Sequence, residues 1–147
     1  MILNDLVRMT RVYCRDNNAN MFTDTNIIMF LNQGIDRLRQ YKMFQGMSHL
    51  SNGTDEVTYL PEQYHYLLAL FASSRCYDTD ERFYEGIEKR NEFESSFSEL
   101  INEIESGNIV ISTPEGETVD AFPSYIEYVK DAYFKPEGDV ENDNSVL

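Results

Sequence analysis

Three amphipathic stretches, each with its own start or stop signals, fill the first 77 residues and constrain the fold more than any other feature. In the first, Leu3 to Cys14, the apolar residues Leu3, Leu6, Val7, Val12 and Tyr13 recur near the helical period. The second opens on Phe22-Thr23-Asp24 and places Ile27, Ile28, Leu31, Ile35 and Leu38 along one face. The third opens on Leu60-Pro61-Glu62-Gln63-Tyr64-His65 and continues through Leu67, Leu68, Leu70, Phe71 and Ala72 to about Asp78. Helices with apolar stripes must bury them against one another, so this order predicts a helical bundle.

The punctuation sets the expected boundaries. A first helix over about 2–15 gives way to Asp16-Asn17-Asn18-Ala19-Asn20, residues that favour turns and left-handed backbone. Thr23 is a good N-cap, and Asp24 suits the positive end of the helix dipole. Phe22 and Ile27 have the spacing of a hydrophobic staple. That second helix should run to near Lys42. Its Gly34 costs about 1 kcal/mol relative to Ala and marks either a close helix crossing or a tolerated defect. Residues 43–60 read as an ordered loop or a small hairpin, with Asn52-Gly53 as the turn pair and Val57-Thr58-Tyr59-Leu60 as a short strand. Pro61 fits the first position of the third helix, which is apolar nearly all round and should be central.

Residues 80–106 carry the longest helical pattern, with Phe83, Ile87, Phe93, Phe97, Leu100, Ile101 and Ile104 recurring at threes and fours and Gly107 as the stop. Such a helix would be about 40 Å long. Beyond it the character changes. Residues 108–113 read as extended, 114–117 as a turn, 124–134 as a short helix and 137–147 as an acidic tail. The expectation is a mainly α chain: a small antiparallel bundle of about four helices, one long, over 1–106, with a hairpin or loop insertion and an extended C-terminal arm over 107–147. The arm concentrates Phe122, Tyr125, Tyr128, Tyr133 and Phe134 on a segment with few ways to build a core. Those aromatics must fold back or meet a partner, and aromatic enrichment of interface cores favours the partner.

Charge narrows the function. The net charge is −14, and residues 1–77 hold seven acids and seven bases. The excess is divided equally, −7 each, between 78–106 and 107–147. No basic patch is present there to neutralise phosphates, which disfavours ordinary nucleic-acid binding. No apolar run reaches the roughly 18 residues of a membrane helix, and the N-terminal residues do not read as a signal peptide, so cytoplasmic synthesis is expected. Cys14 and Cys76, 62 positions apart and each within a helical pattern, are expected to be free buried thiols.

Residue chemistry points away from an enzyme. Acid pairs such as Glu81 with Glu85 and Glu88 with Glu92 flank an apolar stripe and lack the Glu-x-x-His context of a di-metal bundle. His65, in an apolar helix, is expected to be a hydrogen-bonded structural residue, and His49 has no evident partner. Ser73-Ser74-Arg75-Cys76 offers nucleophiles without a base. No phosphate loop, nucleophile elbow, metal-ligand spacing or dinucleotide fingerprint is present, and no cofactor is implied.

The layout resembles the head–tail adaptor (connector, or head-completion) family of tailed bacteriophages. The resemblance rests on Phe22-Thr23-Asp24 before a helix with Leu31-Asn32 and Leu38, then Leu60-Pro61-Glu62-Gln63-Tyr64-His65 with Leu67-Leu68, then a long acidic helix ending at Gly107. It covers roughly residues 1–106. Thr25-Asn26 stand where family members often carry Glu-Glu. The resemblance implies a virion protein at the head–tail interface, repeated as a ring, dodecameric in the family. The ring would sit beneath the portal protein, extend the DNA channel, and dock a tail or further connector protein. DNA would pass through without specific binding. Glu85, Glu88, Glu92, Glu99 and Glu103 would then be candidates to face the channel, and Phe122, Tyr125, Tyr128, Tyr133 and Phe134 candidates for the portal or subunit interface. The alternative from the charge is an acidic interaction protein that mimics DNA and inhibits a DNA-binding enzyme.

Overall fold

A computed structural model describes residues 1–120. It contains four α-helices: α1 (Leu3–Tyr13), α2 (Asp24–Leu38), α3 (Tyr66–Thr79) and α4 (Phe83–Glu105). The expected helix over 124–134, the acidic tail and all five arm aromatics lie outside the described residues. The apolar-all-round helix, α3, is the hub and packs against α4, α2 and α1. Its Leu67, Leu68, Ala69, Leu70, Ala72, Cys76 and Tyr77 are all buried. Ser73 and Ser74 are buried with them and donate to the Leu70 and Phe71 carbonyls of their own helix, at 2.9 and 2.7 Å.

Two glycines explain the close packing of the hub. A Cβ at Gly34 would lie 3.3 Å from Phe71 Cδ1 and 3.4 Å from Leu68 Cδ2, so the α2–α3 crossing sits on that residue. Gly86, in α4, faces Asp78 and the Ser74 carbonyl of α3. Further along, Phe93 of α4 meets Phe71 of α3 edge-on at 5.5 Å. Advancing along α4 thus means retreating along α3, as in an antiparallel pair.

Three helices end in one motif. At the close of α1, Asp16 N–H donates to the Arg11 carbonyl and Arg15 N–H to the Val12 carbonyl, with Arg15 at φ 61°. After α3, Arg82 N–H reaches the Tyr77 carbonyl and Glu81 N–H the Asp78 carbonyl, with Glu81 at φ 61°. After α4, Asn108 and Gly107 repeat the pattern on Glu103 and Ile104, with Gly107 at φ 80°. Each is a Schellman motif, which satisfies the last orphan carbonyls through a left-handed residue. The turn at Glu81 delays α4 to Phe83, later than the expected 80.

Other boundaries also moved. The second helix stops at Leu38 rather than Lys42: Tyr41 becomes extended, and a 3-10 turn, Lys42–Phe44, drives Met43 and Phe44 into the core. Pro61 does not open α3. It is extended (φ −57°, ψ 143°) and precedes a 3-10 turn, Glu62–Tyr64, with α3 starting at Tyr66. The 43–60 insertion is a loop without a named strand. Tyr59 at φ 70° interrupts the Val57–Leu60 run, and only Glu56 pairs, with Ile2. Gly53 is not left-handed, as a two-residue hairpin would require. Instead the Asp55 carboxylate accepts from Ser51 N–H and Asn52 N–H, both at 2.8 Å, and Asp55 N–H donates to the Asn52 carbonyl.

That loop has a clear task. Leu3 N–H donates to the Asp55 carbonyl and Asn4 N–H to the Gly53 carbonyl, which satisfies orphan amides of a helix with no side-chain cap. Asn32 of α2 holds the loop from the other side, through Nδ2–H to the Leu50 carbonyl (2.9 Å) and Leu50 N–H to Oδ1 (2.8 Å). Residues 107–120 return to the body: Ile111 is fully buried, Ser112 pairs with Thr118 across the expected turn, and Ile109 and Val119 pack on the core.

Candidate functional site

The acidic stripe lies on α4, and its geometry follows from spacing. Phe93, Phe97, Leu100 and Ile104 face inward, with Gly86 at the α3 contact. Glu85, Glu88, Glu92, Glu99 and Glu103 succeed one another by three, four, seven and four residues, which places them on one stripe of the helix. Glu85, Glu92, Glu99 and Glu103 each stand one residue before a buried position, so the stripe runs along the flank of the buried seam. Glu88, Glu92 and Glu99 are exposed, while Glu85 and Glu103 are half-buried. At 23 residues α4 is about 35 Å long, and the stripe from Glu85 to Glu103 takes up about 27 Å of it.

The flank has tyrosine neighbours that the sequence did not signal. The hydroxyl of Tyr13 is raised above the usual tyrosine range by burial, then by Tyr66 and Glu92. Tyr64 is raised by burial, then by Glu99 and Glu103. The Tyr64 and Tyr66 rings stack at 6.2 Å. The one base in the row is Lys89, whose Nζ lies 5.1 Å from the Tyr13 ring centroid and 3.4 Å from Glu92 Oε1. The surface is therefore carboxylates bordered by phenols, with one ammonium held against a ring. Such a face repels phosphates at short range, and salt screens that repulsion within about 10 Å. On another part of the helix, Glu94 pairs with Arg37, whose guanidinium also lies over the Phe97 and Tyr41 rings at 5.5 and 5.8 Å.

The remaining polar residues are used structurally. His65 is buried; its Nδ1 accepts from the Met1 amino group at 2.9 Å, and Nε2–H donates to the Leu60 carbonyl at 2.8 Å. Burial lowers its pKa below the ordinary histidine value. His49 has a partner after all, Asp36, at 2.7 Å on an exposed surface. Arg11 and Asp16, both buried, organise the α1–α2 loop: Arg11 Nη1 donates to Asp16 Oδ2 (2.8 Å) and the Phe22 carbonyl (2.9 Å), and Nη2 donates to Asp24. Among the described residues no group of three or more His, Cys, Asp or Glu is placed to hold a metal ion, and no helix is long and apolar enough to cross a membrane. Comparison of the chain with protein-family models, with curated proteins and with solved structures gave no match in any of the three.

Proposed function

We propose that this chain is a structural virion protein, a head–tail adaptor that assembles as a ring beneath the portal of a tailed bacteriophage and extends its DNA channel. The observation that carries the reading is the long α4 with five carboxylates on one flank, in a bundle whose helix order and capped α2 start resemble that family. In the ring, twelve copies by the family's pattern, Glu85, Glu88, Glu92, Glu99 and Glu103 face the lumen and keep passing DNA from adhering. Phe122, Tyr125, Tyr128, Tyr133 and Phe134 contact the portal or the neighbouring copy, and the far side of the ring docks a tail or further connector protein. The chain performs no catalysis in this role.

The test is electron microscopy of the protein mixed with the portal from the same genome. A second ring stacked coaxially on the portal, with α4 lining the channel, supports the reading. Failure to associate over a range of salt, with both proteins folded, rejects it. Competition with DNA for a DNA-binding enzyme would then favour the acidic-mimic alternative.

A further inference from the structure

Residues 108–113 form an uncharged run with four β-branched members, Ile109, Val110, Ile111 and Thr113, directly after the long acidic helix. They enter a short antiparallel turn. Val119 N–H donates to the Ile111 carbonyl and Thr113 N–H to the Glu117 carbonyl, both at 2.8 Å, with Ser112 opposite Thr118. Backbone groups alternate sides in such a pair, so those of Ile111 and Thr113 point into it while those of Val110 and Ser112 point outward. Among the described residues, the N–H and carbonyl groups of Val110 and Ser112 have no backbone partner, and Val110 is 59% exposed. This outward edge borders a groove of about 410 Å³ whose opposite wall includes Tyr59, Leu60 and Pro61. An unpaired edge beside a groove is the geometry of strand addition, in which main-chain bonds hold an extended peptide and its alternate side chains decide which peptide is held.

The charge around the groove selects the peptide. Its walls come from residues 43–74 and 91–129, which hold three and nine acids and not one Lys or Arg. Glu62 sits between the wall residues Pro61 and Gln63, and on the other wall Asn108 Nδ2–H donates to Glu103 Oε1 at 3.3 Å. Glu115 and Glu117 lie in the turn itself. Among the described residues no ion pair engages Glu62, Glu103, Glu115 or Glu117. Two copies paired edge to edge would set these like charges against each other, which is one way a sheet edge is kept from self-association. The chain's own residues 137–147 bring four more acids and no base, and 121–136 balance Glu127 and Asp131 with Lys130 and Lys135, so neither segment gains from the field. We propose that the 110–112 edge is a docking site for an extended, Lys- or Arg-bearing segment of another protein, laid along the groove and bonded to the outward backbone groups of Val110 and Ser112. Cationic side chains at alternate positions meet Glu62 and Glu103, and apolar ones between them rest on Tyr59, Leu60 and Pro61. The site needs only the folded body, so it stands apart from the adaptor reading.

The probe is a capped peptide of alternating lysine and valine, titrated into the isotope-labelled full chain and followed by nuclear magnetic resonance. Shifts are expected over residues 59–63 and 108–113, with amide exchange at Val110 and Ser112 slowed about tenfold or more at saturation and binding weakened by salt. Methylating alternate backbone nitrogens of the peptide should weaken binding about tenfold for one alternating set and little for the other, because only one set faces the edge. Ser112→Pro removes an outward N–H that bonds to nothing described in the fold, and should also weaken binding about tenfold. The methylated peptides ask the same question of the wild-type chain, so the result does not hang on that variant folding. Protection of the Val110 and Ser112 amides in the free chain would overturn the proposal, since the arm or a second copy would then hold the edge. Equal binding of both methylated peptides and the parent, or shifts that follow the α4 glutamates instead, would reduce it to diffuse attraction and reject it. No binding by the parent peptide would reject it outright.

Discussion

Replacing Asp16 with alanine should be among the most damaging single changes in the body. Its Oδ2 accepts from Arg11 and from Phe22 N–H (3.1 Å), and its Oδ1 accepts from Asn20 N–H (2.9 Å) and Met21 N–H (3.1 Å). The Asp16 side chain is 2% exposed and that of Arg11 10%. Removing one partner of a buried pair costs about 3–5 kcal/mol, because a charge is left shielded and unmatched. Arg11 retains the Phe22 carbonyl and Asp24, which favours the lower end, while the stranded Phe22 amide adds about 1–2 kcal/mol. The total, about 4 kcal/mol, is a large part of the 5–15 kcal/mol typical of a domain. Arg11→Met should cost less, about 2 kcal/mol, because Asp16 keeps three backbone donors. The double variant should fall near Asp16→Ala alone rather than at the sum. Urea unfolding of the four proteins measures all of this, with a midpoint shift of about 2 M expected for Asp16→Ala. A loss below about 1 kcal/mol, or strictly additive losses, would refute the claim that this pair holds the α1–α2 loop.

Asn32→Ala should cost about 1–3 kcal/mol in the same assay, by releasing both Leu50 backbone bonds, and hydrogen exchange should rise selectively over residues 50–56 and the first turn of α1. The Schellman turns give a paired test in thermal melts: Gly107→Ala costs about 1 kcal/mol through its φ of 80°, with nothing near its Cβ position, whereas Glu81→Gly at φ 61° stabilises by up to about 1 kcal/mol. Burial lowers the folded-state pKa of His65, so its contribution is fully present above the unfolded value of 6.5 and is lost as pH falls toward the folded value. Unfolding at pH 7 and pH 5 should differ by up to about 2 kcal/mol from this residue, and His65→Gln should flatten that slope. Neutralising the α4 stripe by replacing Glu85, Glu88, Glu92, Glu99 and Glu103 with Gln should leave the far-ultraviolet circular dichroism unchanged while increasing low-salt retention on immobilised DNA. Unchanged retention would remove the repulsive role.

What the chain spells out locally is what the structure returns. Thr23 caps α2 through Asn26 N–H at 3.1 Å, Gly107 stops α4, and the all-apolar third helix is the hub. These features depend on residues close in sequence and on one periodicity. The misplacements share a different cause, because tertiary demands overrode local preference. Met43 and Phe44 had to turn inward, which shortened α2. Asp55, rather than Asn52-Gly53, shaped the loop, because α1 needed its carbonyls. Arg15 and Glu81 take the left-handed positions that glycine would have advertised. The candidate site divides in the same way. Its five carboxylates could be read from spacing along one helix, but Tyr13, Tyr64 and Tyr66 reach it from elsewhere in the chain.

Position along α4 also limits what the stripe can be. A glutamate opposite the core could be lost or moved with little consequence, and would say nothing beyond solubility. Four of these glutamates instead stand immediately before buried positions, and three of them, Glu92, Glu99 and Glu103, add to the burial that disfavours ionisation of the Tyr13 and Tyr64 phenols. Helix α4 cannot rotate to relieve the crowding without withdrawing Phe93, Phe97 and Leu100 from the core, all at most 3% exposed. The same packing that stabilises the bundle therefore fixes the direction of the negative field. A surface whose field is set by its core can present one electrostatic face reproducibly in every copy, as the proposed ring around DNA would require.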